Sequence, residues 1–222
     1  MQRGPYLVGV AGGSGSGKTS LVRAVRDRLP AGMSCIISQD DYYRPIEHQK
    51  VDANGRVNFD LPEGVDLDAL VADLQVLAGG GSLMRREYTF NNAERTASKV
   101  ELRPAPVILV EGLFVLHHVA LREMFDLRVY VDASEDTQLD RRLRRDAQER
   151  GYGREDVLYQ WENHVMPAYR NYLLPYRHLC DLHVVNELSF DRAVPVLCAH
   201  LMGVARSKDV ESVLADVAEH RR

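Results

Sequence analysis

Short apolar runs that alternate with amphipathic stretches predict an α/β fold, a parallel sheet of about five strands covered by helices on both faces. Five runs, at 7–11, 34–38, 107–111, 127–132 and 181–185, have the length and β-branched content of buried strands. Between them, Leu21, Val22, Val25 and Leu29, and again Leu67, Leu70, Val71, Leu74 and Leu77, recur at the spacing of one helix face. The pattern G-x-x-x-x-G-K-T follows the first run at once, as Gly12-Gly13-Ser14-Gly15-Ser16-Gly17-Lys18-Thr19.

A strand, a glycine loop and a helix in that order make a phosphate site. Glycines let the backbone curl with its N–H groups turned inward, and the helix N-terminus adds the positive end of a dipole. Gly12, Gly13, Ser14, Gly15, Ser16, Gly17, Lys18, Thr19 and Ser20 are therefore the expected nucleotide contacts. Lys18, placed by the pattern on an exposed loop, would reach the β- and γ-phosphates, and the Thr19 hydroxyl would meet Mg²⁺.

After the second strand, the stretch from Asp40 to Gly64 is polar and aperiodic, long enough to be functional or mobile. The helix over 67–77 ends in Gly79-Gly80-Gly81, and Ser82–Arg103 has the mixed pattern of a hairpin-like insertion. Residues 134–150 predict a strongly charged helix, with 134–153 acting as a lid, and 154–174 predict another helix. Two helices are expected to close the chain, Val210, Val213, Leu214 and Val217 giving the last its stripe.

In open α/β sheets ligands bind beyond the carboxyl ends of the strands. The second strand ends in Ser38-Gln39-Asp40 and the third in Glu111-Gly112, so parallel neighbours would bring Asp40 and Glu111 to Lys18 and Thr19. Carboxylates there can hold Mg²⁺ or accept a proton from an attacking hydroxyl. The run Arg141-Arg142-Leu143-Arg144-Arg145-Asp146 reads mainly as a solvated helix face, with Asp140/Arg144 and Asp146/Arg150 at i,i+4 spacing. Beside a phosphate loop, one or two of these arginines would touch phosphate. His117, His118 and His164 read as structural or exposed, and Trp161 with the tyrosines around it as helix packing.

With 222 residues and 45% hydrophobic content, one substantial core is expected, as a single domain over 1–222. The net charge of −4 offers no global field for nucleic acid. Apolar runs of five or six residues are too short for a membrane span. The first strand begins too early for a signal peptide, and Cys35, Cys180 and Cys198 have no metal-type spacing, so a reduced, cytoplasmic protein is expected. A homo-oligomer is compatible with this composition.

The loop, Ser38-Gln39-Asp40 with Tyr43-Arg44, Asn58-Phe59-Asp60-Leu61-Pro62, Tyr88-Thr89-Phe90, Val110-Glu111-Gly112 and Arg141-Arg142…Arg145-Asp146…Glu149-Arg150-Gly151 together resemble the uridine/cytidine kinase family, within the uridine kinase–phosphoribulokinase group. The resemblance runs in order from about residue 6 to 186. It implies a P-loop NTPase-type sheet with a small β-hairpin insertion and an Arg-rich helical lid. It also implies ATP- and Mg²⁺-dependent phosphorylation of the 5′-hydroxyl of uridine or cytidine, with ATP or GTP as donor. By that resemblance Asp40 is the base, and Lys18, Arg145 and Arg150 engage phosphates. Thr19, Glu111 and Asp40 would surround the magnesium. Asp60 and Arg142 would hold the ribose hydroxyls, and Tyr43, Phe59, Tyr88 and Phe90 line the base pocket with Gln160 nearby.

The chain departs from the family pattern where the base is read. Ala93-Glu94-Arg95 stands where a His-Ser-Arg triplet is common, and Thr89 replaces an aspartate. In the lid, Arg150-Gly151-Tyr152-Gly153 replaces Arg-Gly-Arg-Asp, and Gln138 stands where an arginine is frequent. The transfer machinery is thus expected intact, with stacking left to recognise the base. Another hydroxyl acceptor (nicotinamide riboside, another ribosyl compound or pantothenate) is the enzymatic alternative, and a nucleotide-dependent regulatory module the non-enzymatic one. Asp60 and the long acceptor-side segment 40–64 weigh against the module.

Overall fold

The computed structural model describes residues 4–89, 97–149 and 151–219. Its centre is a five-stranded, all-parallel sheet. In chain order the strands are β1 (Tyr6–Gly12), β2 (Ser34–Ser38), a two-residue pair β3 (Lys50–Val51) and β4 (Val57–Asn58), a hairpin β5 (Leu83–Arg86) and β6 (Lys99–Leu102), then β7 (Val107–Glu111), β8 (Leu127–Asp132) and β9 (Leu182–Val185). The large sheet runs β2-β7-β1-β8-β9, while β3/β4 and β5/β6 pair antiparallel. The chain leaves β1 toward one edge and later crosses to the other. That reversal opens a crevice at the carboxyl ends beside β1.

Both faces of the sheet are apolar because both are covered. Val8 and Val10 of β1 and Val107 and Leu109 of β7 turn to one side. There they meet Leu21, Val22 and Val25 of α1 (Lys18–Arg28) and Val194, Leu197 and Leu201 of α7 (Ala193–Glu219). Leu7, Ala11, Ile108 and Val110 turn to the other, against Leu67, Leu70, Leu74 and Leu77 of α2 (Leu67–Ala78) and Leu121 of α3 (Val119–Met124). Period-2 alternation with two buried faces reads in sequence as an unbroken apolar run.

The two helices expected at the end of the chain are one, Ala193–Glu219. Pro195 lies in its first turn, where a missing N–H costs nothing, and Gly203 alone does not break a helix. The expected charged helix is α4 (Glu135–Glu149). The expected helix over 154–174 is α5 (Arg154–Gln160) and α6 (Met166–Ala168), joined and followed by π-helical turns at Trp161–Val165 and Tyr169–Leu173. The first widened turn lies just before Pro167, whose missing donor perturbs the helical ladder there. Segment 40–64 is ordered: Gln49, buried within it, donates from Nε2 to the carbonyls of Arg44 (2.7 Å) and Gly64 (2.9 Å).

Candidate active site

The loop between β1 and α1 is folded tightly against its surroundings. Gly15 and Gly17 hold φ of +82° and +96°, which favour glycine. A Cβ on Gly15 would lie 2.3 Å from the Gln138 carbonyl oxygen, and one on Gly17 2.3 Å from Asn186 Nδ2. Asn186, at the exit of β9, also donates to Ser16 O at 2.7 Å, and Gln138 is fixed through Nε2 to Ala133 O at 2.7 Å. These two buried amides brace the loop from behind. Gln138 drew notice in the sequence only as a departure from an arginine, and Asn186 carried no signal at all.

Lys18 is not exposed, as the pattern suggested, but only 8% accessible. It is the first residue of α1, behind a glycine cap, and its Nζ donates to Gly13 O at 3.0 Å. Burial pulls its pKa down, opposed by the carboxylates of Glu111 and Asp40. Register explains how those carboxylates arrive: Glu111 pairs with Val10 of β1 and with Ser38 of β2, one at each side of β7. Glu111 Oε1 accepts from Ser38 Oγ at 2.8 Å and from Thr19 Oγ1 at 3.2 Å. Burial first, and then the nearby Asp40, push the Glu111 carboxyl above its usual range, while Lys18 and the two hydroxyls pull it back. Ser38 Oγ also caps the turn Gln39–Tyr42 by accepting from the Asp40 N–H at 3.3 Å.

This cleft has a volume of about 1100 Å³ and continues from the phosphate loop past Asp40 to a second, aromatic end. Tyr43 meets Phe59 edge-on with centroids 6.1 Å apart, and Tyr88 with centroids 5.2 Å apart. Asp60 faces the same space, and its carboxylate accepts no hydrogen bond from the described residues. Tyr88 is set by its own N–H, which donates to Asp41 Oδ1 at 3.0 Å. Arg85 of β5 reinforces that link, donating to Asp41 O at 3.3 Å and pairing with Asp73 at 3.2 Å while its guanidinium lies 3.7 Å from the Tyr42 ring centre. Nothing in the sequence marked Arg85 or Asp73, because the partners come from separate elements.

The arginine cluster divides. Arg144 pairs with Asp140 on an exposed face, as the spacing suggested. Arg142 is buried: it donates to Ser14 Oγ at 2.9 Å and to Gln160 Oε1 at 2.8 Å and pairs with the buried Asp146 at 3.2 Å. Arg145, also tied to Asp146, lines the cleft near enough to bear on Lys18. Lys18, Thr19, Asp40, Asp60, Glu111, Tyr43, Phe59, Tyr88, Arg142, Arg145 and Gln160 therefore share one cleft. Phe90, Arg150 and the Ala93-Glu94-Arg95 triplet lie outside the described residues. His164 proves almost fully buried, against Asp52, and also lines the cleft. Among the described residues no helix is long and apolar enough to cross a membrane.

The sequence of the phosphoribulokinase / uridine kinase family matches residues 7–189. The chain belongs to that family. A uridine kinase of Chloroflexus aggregans is 34% identical over 209 residues, covering 92% of this chain and 100% of that one. Uridine-cytidine kinase B of Dictyostelium discoideum is 33% identical over 205 residues, covering 92% and 84%. Phosphoribulokinase from Rhodobacter spheroides superposes with a TM-score of 0.61 at 18% identity, over 83% of this chain and 71% of that one, a likeness of fold. As a member of the phosphoribulokinase / uridine kinase family, the protein is a kinase, a phosphotransferase acting on a hydroxyl group.

Proposed function

We propose that the protein transfers the γ-phosphoryl group of Mg²⁺-ATP to the 5′-hydroxyl of a pyrimidine ribonucleoside, uridine or cytidine, giving the nucleoside monophosphate and ADP. The observation that carries this reading is one continuous cleft with a phosphate loop at one end and Asp60 among aromatic rings at the other, Asp40 lying between. The named activities of the relatives above point the same way.

Asp40 takes the proton from the acceptor hydroxyl as its oxygen attacks the γ-phosphorus, and the bond to the β,γ-bridging oxygen breaks to release ADP. Lys18 and Arg145 face the charge that spreads over the migrating group. Thr19, Glu111 and Asp40 make a hard-oxygen set suited to Mg²⁺, and Glu111, whose carboxyl burial and Asp40 destabilise as an anion, is relieved by a cation. When bound, the metal neutralises phosphate charge. Asp60 accepts from the vicinal ribose hydroxyls, Arg142 supports that side through Ser14 and Gln160, and Tyr43, Phe59 and Tyr88 stack on the base.

The test is ADP release with ATP or GTP against uridine, cytidine, their 2′-deoxy forms, nicotinamide riboside and pantothenate. Uridine and cytidine should both turn over. Deoxyuridine should lose about tenfold or more in kcat/KM, because Asp60 then loses one of its two hydroxyl partners and is left under-satisfied. Equal rates for uridine and deoxyuridine would remove Asp60 from ribose recognition, and turnover of a non-pyrimidine acceptor alone would overturn the acceptor assignment.

Arg145→Ala should lower kcat by about 10-fold or more while acceptor KM changes little, since its charge matters most as phosphate charge develops. Arg144→Ala, on the exposed face, should leave both unchanged. Equal behaviour of the two variants in steady-state kinetics would return Arg145 to the solvated surface.

A further inference from the structure

His164 has no part in the transfer described above, yet its side chain is 1% exposed and lines the cleft. It lies one helical turn beyond Gln160. Its Nε2 is 2.7 Å from Asp52 Oδ2, and that oxygen also accepts the Tyr159 hydroxyl at 2.6 Å. Asp52 Oδ1 accepts the N–H groups of Asn54 and Arg56, each at 2.9 Å. The Tyr159 hydroxyl foremost, with the backbone donors and His164, holds the Asp52 carboxyl well below the usual carboxylate range. An ionised carboxylate only accepts, so the Nε2 proton stays on the ring, and the tautomer this selects in the neutral form has its lone pair on Nδ1.

Among the described residues Nδ1 has no hydrogen-bond partner. Because His164 lines the cleft, its Nδ1 is left to accept from a donor that enters there. Gln160 complements it. Its Oε1 is occupied by Arg142, which turns the amide so that its NH₂ is the group left to donate. An acceptor and a donor lining one cleft are the two groups an imide edge calls for, in which a ring N–H stands beside a carbonyl.

We propose that His164 is a specificity-determining residue, its Nδ1 accepting the N3–H of a uracil-type base while the Gln160 amide donates to the neighbouring carbonyl. Asp52 is its positioning residue, fixing the tautomer. The assignment rests on the nucleoside reading above, and adds a polar contact where the sequence alone left only stacking.

The experiment compares uridine with 3-methyluridine, in which N3 has no proton. Wild-type protein should prefer uridine by about tenfold or more in kcat/KM, the scale of one buried hydrogen bond. In His164→Phe the preference should fall to about threefold or less, through loss on uridine. His164→Asn, which keeps an acceptor near the Nδ1 position, should retain part of it, and Asp52→Asn should narrow it. ATP affinity by calorimetry should stay near wild type in each variant, which reports an intact fold and donor end. An unchanged preference in an ATP-binding His164→Phe protein would overturn the proposal. Should that variant not fold, the ¹⁵N resonance of His164 Nδ1 in labelled wild-type protein decides instead: it should shift on adding uridine, and a constant resonance overturns the assignment. Absence of any uridine turnover by the wild type would defeat the nucleoside reading itself, a result distinct from an unaltered preference.

Discussion

Lys18→Ala should lower kcat by at least about 100-fold while leaving the protein folded. The lysine heads α1, and its ammonium donates to Gly13 O inside the loop it belongs to. Removing it takes away the cation nearest the buried Glu111, and this is where the fold could suffer, since an uncompensated buried charge is strongly destabilising. The site has an outlet. Burial and Asp40 already raise the Glu111 pKa, so with Lys18 gone Glu111 takes up a proton more readily instead of remaining an isolated anion. Protonation leaves the Ser38 and Thr19 contacts available, and the cost should appear as a modest fall in Tm. Lys18→Arg should rescue little of the rate, because a planar guanidinium cannot replace a compact ammonium in so closed a loop. The measurements are circular dichroism for the fold and single-turnover ADP release for the chemistry. Wild-type-like rates from folded Lys18→Ala protein would remove the phosphate loop from the reaction.

What the sequence made legible was local. Strands β1, β2, β7 and β8 and helices α1 and α2 follow from runs and periods that each element carries alone, and the glycine pattern has meaning because a strand precedes it and a helix follows. Convergence of Asp40 and Glu111 on Lys18 was also readable, given parallel neighbours, because β7 pairs with both β1 and β2. The rest depends on contacts between distant segments. Lys18 looks exposed until Gln138 and Asn186 close behind the loop. His164 looks like a helix-surface residue until the β3–β4 turn brings Asp52 to it from 112 positions away. Arg142 and Arg144 are indistinguishable by charge and spacing. Only the placement of α4 against Ser14 and Gln160 buries one and leaves the other in solvent. The single helix at the end was missed for a different reason: Val210, Val213, Leu214 and Val217 carry a stripe that reads as a helix of its own, whereas the helix before it runs on through Gly203.

Asp40→Asn should lower kcat by about 10²–10⁴-fold. The substitution keeps the size of the side chain and removes the proton acceptor. It should not disturb the turn that carries it, because that turn is capped through the backbone N–H of Asp40 and the Ser38 hydroxyl, and neither is altered. Two electrostatic consequences separate the roles this residue could have. Loss of the Asp40 charge lets the Glu111 carboxyl fall back toward its usual range and lets the Lys18 ammonium lose a proton more readily. Glu111 is then a better anion for Mg²⁺, so if Asp40 acts as the base, affinity for Mg²⁺-ATP should hold or rise slightly while turnover collapses at every metal concentration. If Asp40 instead serves the metal, the variant should need more Mg²⁺, and a high concentration should restore its rate. Turnover measured against Mg²⁺ at saturating nucleoside distinguishes the two. A deficit that metal does not relieve leaves proton transfer as the function lost, because Asp40→Asn keeps the shape of the site and Glu111 and Thr19 remain to hold the cation.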